Sequence, residues 1–389
     1  MLDRPALTME LRRGLRDFPV VALVGPRQCG KTTMARGIVH PRSSGYFDLE
    51  SPADALRLSE PMAALTALNG TIVIDEVQRA PDLFPVLRVL ADERPLRRRL
   101  LVLGSASPRL LRQTSESLAG RVRVIEMGGF DLGECGTRKL DRRWLRGGFP
   151  RAFLARTDRA AFEWLDEFVR SVVERDLPFM DSRMPAAELR RLLSMLAHYH
   201  GQTLNTSDVA SSLGVARETV RRYVDLLVGL FHLRQLQPWF ENLGKRQVKS
   251  GRLFFRDTGV LHAVMGIRSR GDLLLHPRLG ASWEGFAIEE VLRHVPHDEA
   301  YWWSTHQGAE MDLLLFRKGR RFGVEVKRAD APQLTSSIRA AIRDLKLDGV
   351  TIVAPITKPY AVNVNVRVTS LEQVVGDPEQ LVSARRQRR

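Results

Sequence analysis

Short apolar runs with little polar alternation recur through the first third of the chain: VVALV (20–24), YFDL (46–49), TIVID (71–75), LLVLG (100–104) and RVRVIEM (121–127). Unalternating, β-branched runs of this kind belong to parallel strands covered on both faces. The intervals between them carry helical spacing, so the segment predicts a βαβ series and an α/β domain. From about 144 to 230 the strand signal disappears. DRAAFEWLDEFVRSVVERDL places Phe162, Leu165, Phe168, Val169, Val172 and Val173 at helical intervals, and AAELRRLLSMLAHYHG does the same before Gly201, read as its C-terminal cap. Strands return at 233–256, and from about 280 the order is helix, strands, helix, strand: a second, smaller α/β region. No internal repeat of solenoid period is present.

The first strand runs directly into GPRQCGKTT (25–33), which opens a helical stretch. It fits the phosphate-loop pattern G-x-x-x-x-G-K-[ST] through Gly25, Gly30, Lys31 and Thr32, with Pro26, Arg27, Gln28, Cys29 and Thr33 in the same cradle. Glycines let backbone N–H groups curl around phosphates, Lys31 can reach the β- and γ-phosphates, and the Thr32 hydroxyl can bind Mg²⁺. A chance Gly-rich turn is the bland alternative, and the strand, loop, helix order argues against it. TIVIDEVQ then ends a strand in Asp75, placed to hold the Mg²⁺ shell, and Glu76, placed to orient or deprotonate the attacking water. Ser105, after LLVLG, is a candidate γ-phosphate sensor, although small hydroxyl residues also simply cap helices. Arg121, at the head of the next strand, is either a guanidinium for transition-state charge, in cis or from a neighbouring subunit of a homo-oligomer, or an ordinary surface arginine. ATP and Mg²⁺ are the cofactors these residues imply.

These stretches, with LVLGSASPRLLRQTSESLAGRV and the later LNTSDVASSLGVARETVRRYVDLLVGLFHLRQLQPWFENLGKRQVKSGRLFFRDTGV, resemble bacterial and archaeal ATP-binding proteins in which an AAA-type ATPase domain precedes a C-terminal domain of unknown function. The resemblance covers about residues 4 to 355 and implies ATP binding and hydrolysis at Gly25, Gly30, Lys31, Thr32, Asp75 and Glu76. The expected architecture is α/β: an AAA-type P-loop NTPase domain with a parallel sheet (1–140), a helical and winged-helix domain (141–275), a restriction-endonuclease-like α/β domain (276–375) and a basic tail (376–389).

Between them, NTSDVASSLGVARETVRRYVDLLVGLFHLRQL (205–236) reads as helix, tight turn at Gly214, helix, strand, with Thr206 or Ser207 as the first cap. Arg217, Arg221 and Arg222, with Glu218 among them, lie on the exposed face of the second helix, where a DNA reader presents them to the major groove. The same module on an ATPase also serves as a lid or a surface for a protein partner. After it, Trp239, Phe240, Asn242, Lys245, Arg246 and Lys249 interleave aromatic and basic residues, either to stack bases or to pack a hairpin. Asp257 has no chemical role legible from the sequence.

Charge bears on that choice. The net charge of +15 over 389 residues, with clusters at RPLRRR (94–99), RKLDRRWLR (138–146) and KRQVK (245–249), favours a polyanion such as DNA, while the terminal RRQRR reads as a solvated tail. No apolar run reaches the roughly 20 residues that span a bilayer, and the N-terminus shows no secretory pattern, so no membrane partner is expected. Cys29 and Cys135 alone cannot build a disulfide framework, and a reducing, cytoplasmic setting is expected.

The last region adds a second candidate chemistry. GASWEGFAIEEVLRHV (280–295) is a helix with Glu284 near its start and an apolar face of Trp283, Phe286, Ala287, Val291 and Leu292. AEMDLLLF places Asp312 at the head of a strand, and FGVEVK places Glu325 and Lys327 on one face of the next. The order E…D…ExK is similar to the PD-(D/E)xK nuclease superfamily, which implies Mg²⁺ shared by Asp312, Glu325 and Glu284 with Lys327 steadying charge on phosphorus. Two acids and a lysine near apolar strands also occur by chance, so the alternative is a nuclease-like fold that does not cut.

Overall fold

The computed structural model describes residues 2–105, 117–181, 183–241 and 251–383; the side chain of Ser105, Asn242, Lys245, Arg246, Lys249 and the RRQRR tail lie outside that description. The chain divides into two compact units: Met1–Gly129 with Leu226–His232, and Phe130–Asp225 with Leu233–Arg389.

The first unit is built on a five-stranded sheet in the order β2-β3-β4-β1-β5. Its strands are β1 (Val20–Gly25), β2 (Tyr46–Asp48), β3 (Gly70–Asp75), β4 (Arg98–Ser105) and β5 (Val122–Glu126), and they coincide with the five apolar runs. Every pairing is parallel. Unalternating sequence follows from burial on both faces: Val20 through Val24 are all buried beneath the flanking helices, which include α1 (Pro5–Asp17) and α3 (Leu83–Asp92). Parallel pairing gathers the carboxyl ends of β1, β3 and β4, hence Gly25, Asp75 and Ser105, along one edge. The short helix α2 (Lys31–Arg36) starts from that edge, behind the loop.

In the second unit the helices α4 (Asp158–Ser171) and α5 (Ala186–His198) lead into β6 (Gln202–Thr203); α6 (Thr206–Leu213) and α7 (Arg217–Gly229), whose last residues belong to the first unit, come before β7 (Leu233–Leu236) and β8 (Arg252–Phe255), and the three strands form an antiparallel sheet ordered β6-β8-β7. After α8 (Thr258–Val264) and α9 (Leu279–His294) comes a six-stranded mixed sheet ordered β13-β14-β12-β11-β10-β9. Its strands are β9 (Glu299–Ser304), β10 (Glu310–Arg317), β11 (Arg320–Val326), β12 (Gly349–Val353), β13 (Tyr360–Ala361) and β14 (Val366–Thr369), with α10 (Ser336–Leu345) joining β11 to its parallel neighbour β12. One apolar core runs from Leu236 and Phe254 of the small sheet through Trp283, Phe286, Ile288 and Val291 of α9 to Leu313, Leu315 and Val324 of the large one. Packed on both sides, α9 is buried nearly all round, and Gly285 is required where a Cβ would meet His200 Nε2 at 2.1 Å.

Two local expectations are corrected. Gly201 is not the cap of α5, which ends at His198; with φ of 76° Gly201 turns the chain into β6, and its N–H donates to Leu253 O at 2.8 Å. The cap of α6 is Asn205, not Thr206 or Ser207: its side-chain oxygen accepts from the N–H groups of Ser207 (3.1 Å) and Asp208 (3.4 Å).

Candidate functional site

The phosphate loop leaves β1 through a crowded passage. A Cβ on Gly25 would lie 2.0 Å from Met127 O, so only glycine fits there. Gln28 (φ 62°) and Gly30 (φ 104°) both adopt left-handed backbone, which turns successive peptides inward, and Cys29 anchors the loop from below by donating its thiol to Met127 O at 3.4 Å. Lys31 is buried, and its Nζ donates to Gly25 O (3.0 Å) and Pro26 O (2.8 Å), folded back over the loop it closes. Pro26 is buried, Arg27, Gly30 and Thr32 are half-buried, and Gln28 and Thr33 are exposed.

Asp75 ends β3 with its carboxylate buried. Tyr46 donates its hydroxyl to Oδ2 at 3.0 Å and the Glu76 N–H donates to Oδ1 at 3.0 Å. Burial and the Asp75 charge push the Tyr46 hydroxyl pKa upward, so the phenol stays a donor. Glu76 follows in left-handed backbone (φ 57°, ψ 44°), an unusual conformation for a non-glycine residue, and accepts from Gln78 Nε2. The sequence pattern missed Tyr46, which lies on the neighbouring strand in register with Val73. Together a glycine-dependent loop, a lysine, a buried carboxylate and a strained glutamate at one sheet edge fit Mg²⁺ and a nucleoside triphosphate. Ser105 pairs with Gly25 across the β4–β1 ladder, which puts its backbone beside the start of the loop.

Arg121 does not join them. It precedes β5 at the amino end of the sheet, where its carbonyl accepts from Val20 N at 3.2 Å, and its guanidinium is bound to Asp92 at 2.6 and 2.9 Å. Parallel strand direction is the reason: the head of one strand lies at the opposite edge from the tails of its neighbours.

In the second unit the three arginines of α7 differ in freedom. Arg217 donates from Nε to Thr206 Oγ1 at 3.0 Å while staying exposed, Arg221 is exposed, and Arg222 is half-buried, paired with Asp181 and lying over the Tyr223 ring. Trp239 is a packing residue: its ring lies 5.1 Å from Tyr301 and 4.6 Å from Phe316, and Nε1 donates to Glu241 at 2.8 Å. Asp257 caps α8 by accepting from Val260 N (3.1 Å) and ties down the preceding turn by accepting from Gly148 N (2.7 Å).

The acids of the last region do converge. Glu284 of α9, Asp312 of β10, and Glu325 and Lys327 at the end of β11 meet at one end of the large sheet. Lys327 Nζ is 2.7 Å from Glu325 Oε1, and Val326 N donates to Asp312 Oδ2 at 2.9 Å. Burial, reinforced by the Asp312 charge, pushes Glu284 up to about 8 and Glu325 up to about 7. The expected metal set is nevertheless not realised. Arg252 of β8 enters between the acids, with Nη1 3.3 Å from Glu284 and 3.2 Å from Asp312 and Nη2 2.5 Å from Glu310. A guanidinium holds carboxylates at hydrogen-bond distance on several sides, wider than the ~2.0–2.6 Å oxygen–metal spacing of Mg²⁺ or Ca²⁺. Among the described residues no group of three or more His, Cys, Asp and Glu is arranged to hold a metal ion.

Comparison with known proteins places these features. Residues 17–136 match the family described as AAA domain, 137–271 a domain of unknown function (DUF8612) and 279–374 a domain of unknown function (DUF4143). Uncharacterized proteins of Mycobacterium tuberculosis (strain H37Rv) and Mycobacterium bovis are each 47% identical over 355 residues, covering 91% of this chain and 80% of theirs. Among solved structures, a Walker-type ATPase of Pyrococcus abyssi aligns with a TM-score of 0.48 at 14% identity over 68% of this chain and 96% of that one. No helix among the described residues is long and apolar enough to cross a membrane. The chain belongs to the family of these two mycobacterial proteins, an AAA-type P-loop domain followed here by the DUF8612 and DUF4143 regions.

Proposed function

We propose that the protein is an Mg²⁺-dependent ATPase whose nucleotide state controls DNA binding by the second unit. The observation that carries the ATPase reading is the sheet edge itself: the Gly25–Thr33 loop, buried Asp75 and left-handed Glu76 at neighbouring strand ends. The loop N–H groups hold the phosphates, and Lys31 exchanges two carbonyl acceptors for phosphate oxygens, trading neutral for charge-assisted hydrogen bonds. Thr32 and Asp75 hold Mg²⁺, which when bound neutralises charge on the phosphate oxygens. Glu76 orients the water or takes its proton, and Ser105 senses the γ-phosphate. Arg121 would have to abandon Asp92 to act on a neighbouring subunit, so it has no part in cis.

DNA binding is supported by the helix, turn, helix, then the antiparallel pair β7 and β8, the connectivity of a winged helix, and by Arg217 and Arg221 exposed at the start of α7. A PD-(D/E)xK-like fold for the last region is supported by the convergence of Glu284, Asp312, Glu325 and Lys327; Arg252 among them supports the reading that it does not cut. Two buried, unpaired cysteines suit a reducing cytoplasm. The competing reading, recruitment of a protein partner, draws on the strongly exposed Phe179 and Leu275.

Duplex-DNA affinity measured at fixed salt, with ATP on the Glu76→Gln variant and with ADP on the wild type, tests the coupling. The proposal expects a difference of about tenfold or more, as for an ordinary coupling energy. Equal affinities, or none in either state, would leave the protein-partner reading in its place.

A further inference from the structure

Arg252 comes from the small sheet, yet its guanidinium is spent on the large one. The side chain is 9% exposed; Nη1 lies 3.2 Å from Asp312 Oδ1 and 3.3 Å from Glu284 Oε1, and Nη2 lies 2.5 Å from Glu310 Oε2. Its plane is fixed by the Trp302 ring, whose centre is 4.5 Å from Cζ. Lys327 holds Oε1 of Glu325, and the second oxygen of Asp312 accepts from Val326 N. The atom left over is Glu325 Oε2, in a residue 2% exposed, with no hydrogen-bond partner among the described residues. A bare carboxylate oxygen out of water is costly unless a cation shares it. Formally the four carboxylates of Glu284, Glu310, Asp312 and Glu325 are paired with two cations in direct contact among the described residues, Arg252 and Lys327, with Arg278 acting on Glu284 from farther off, so the paired groups carry excess negative charge when every carboxylate is ionised.

We propose that Arg252 is the resident cation of this centre, standing where a divalent metal would otherwise join Glu284 to Asp312, and that removing it turns the centre into a divalent-cation site completed by Glu325. The guanidinium carries its charge at any physiological pH and satisfies the acids through a fork. A divalent ion needs the same oxygens drawn in to about 2.0–2.6 Å, and it would meet the positive charge of Arg252 at contact distance. The two cations therefore exclude one another, and the native chain keeps the arginine.

The test is a titration of Mn²⁺ into the nucleotide-free, full-length chain, following the free ion by electron paramagnetic resonance. The wild type is compared with Arg252→Gln, Arg252→Lys, Asp312→Asn and the Arg252→Gln/Asp312→Asn pair; binding at the phosphate loop is common to all and cancels. Asp312→Asn should leave wild-type uptake unchanged. Arg252→Gln should gain one Mn²⁺ bound about a hundredfold or more tighter than anything at this centre in the wild type, since a unit charge at contact is removed. Adding Asp312→Asn should abolish the gain, and Arg252→Lys, which keeps a cation, should show none. Wild-type uptake that disappears in Asp312→Asn would overturn the proposal, as would a folded Arg252→Gln protein, with a cooperative melt, that gains nothing. If Arg252→Gln does not fold, the comparison of wild type with Asp312→Asn still decides.

Discussion

Replacing Gly25 with alanine puts a methyl carbon 2.0 Å from Met127 O, where a real Cβ essentially never comes nearer than 3.0 Å. The two groups must separate by at least about 1 Å, and neither is free to yield. Met127 N donates to Val24 O at 2.8 Å, which ties that peptide to β1, and Met127 is itself buried. Strain of this kind in a packed site costs ~1–3 kcal/mol. The displacement falls on the first residue of the phosphate loop, and an ångström of misplacement around a reacting group lowers turnover about a hundredfold. The assay is urea denaturation of Gly25→Ala alongside ATP turnover. Gly30→Ala is the informative comparison. Its nearest neighbour is the flexible Met127 Cε at 3.4 Å, but its φ of 104° is unfavourable for alanine, so it should lose ~1–2 kcal/mol through backbone conformation alone. A Gly25→Ala protein that melts with the wild type and turns over within about twofold of it would refute the steric argument.

Arg143→Met removes the guanidinium 3.1 Å from the fully buried Glu290, which keeps the Leu132 N–H and His294 as partners of its other oxygen, and should lower unfolding free energy in urea by up to ~3–5 kcal/mol. His294 ties stability to pH. Burial alone would lower its pKa, but the Glu290 carboxylate 3.4 Å from Nε2 and the Asp131 charge outweigh that and raise it. Its contribution is therefore full below the unfolded imidazole value of about 6.5 and is lost as pH rises through the raised folded value. Melting curves across that window should flatten in His294→Gln; an unchanged slope would contradict the assignment. Charge reversal at Arg221 should weaken duplex binding and reduce the salt slope by about one for each phosphate no longer neutralised, whereas Arg222→Ala, already committed to Asp181, should change the slope less.

The parallel sheet was legible because burial on both faces writes unbroken apolar runs, and the phosphate loop because its glycines and lysine sit at fixed spacing. Arg121 illustrates what spacing omits. Its neighbours in sequence say nothing of strand direction, and direction alone sends it to the edge away from the loop. Arg252 was illegible for a different reason: it lies 60 residues from Asp312 and reaches it across two sheets, a pairing no local period encodes. Asp257 could be singled out but not explained, since its partner Gly148 lies 109 residues upstream. Asn205 was overlooked beside Thr206 and Ser207 because all three are good caps, and only the backbone turn decides among them.

Mg²⁺-dependent phosphate release from ATP, measured for wild type and Glu76→Gln with ATP affinity determined in parallel, tests the ATPase assignment most directly. The account predicts turnover by the wild type and a loss of about a hundredfold or more in Glu76→Gln with ATP still bound equally well. Wild-type release no greater than that of Lys31→Ala, or Glu76→Gln turning over like the wild type, would contradict it.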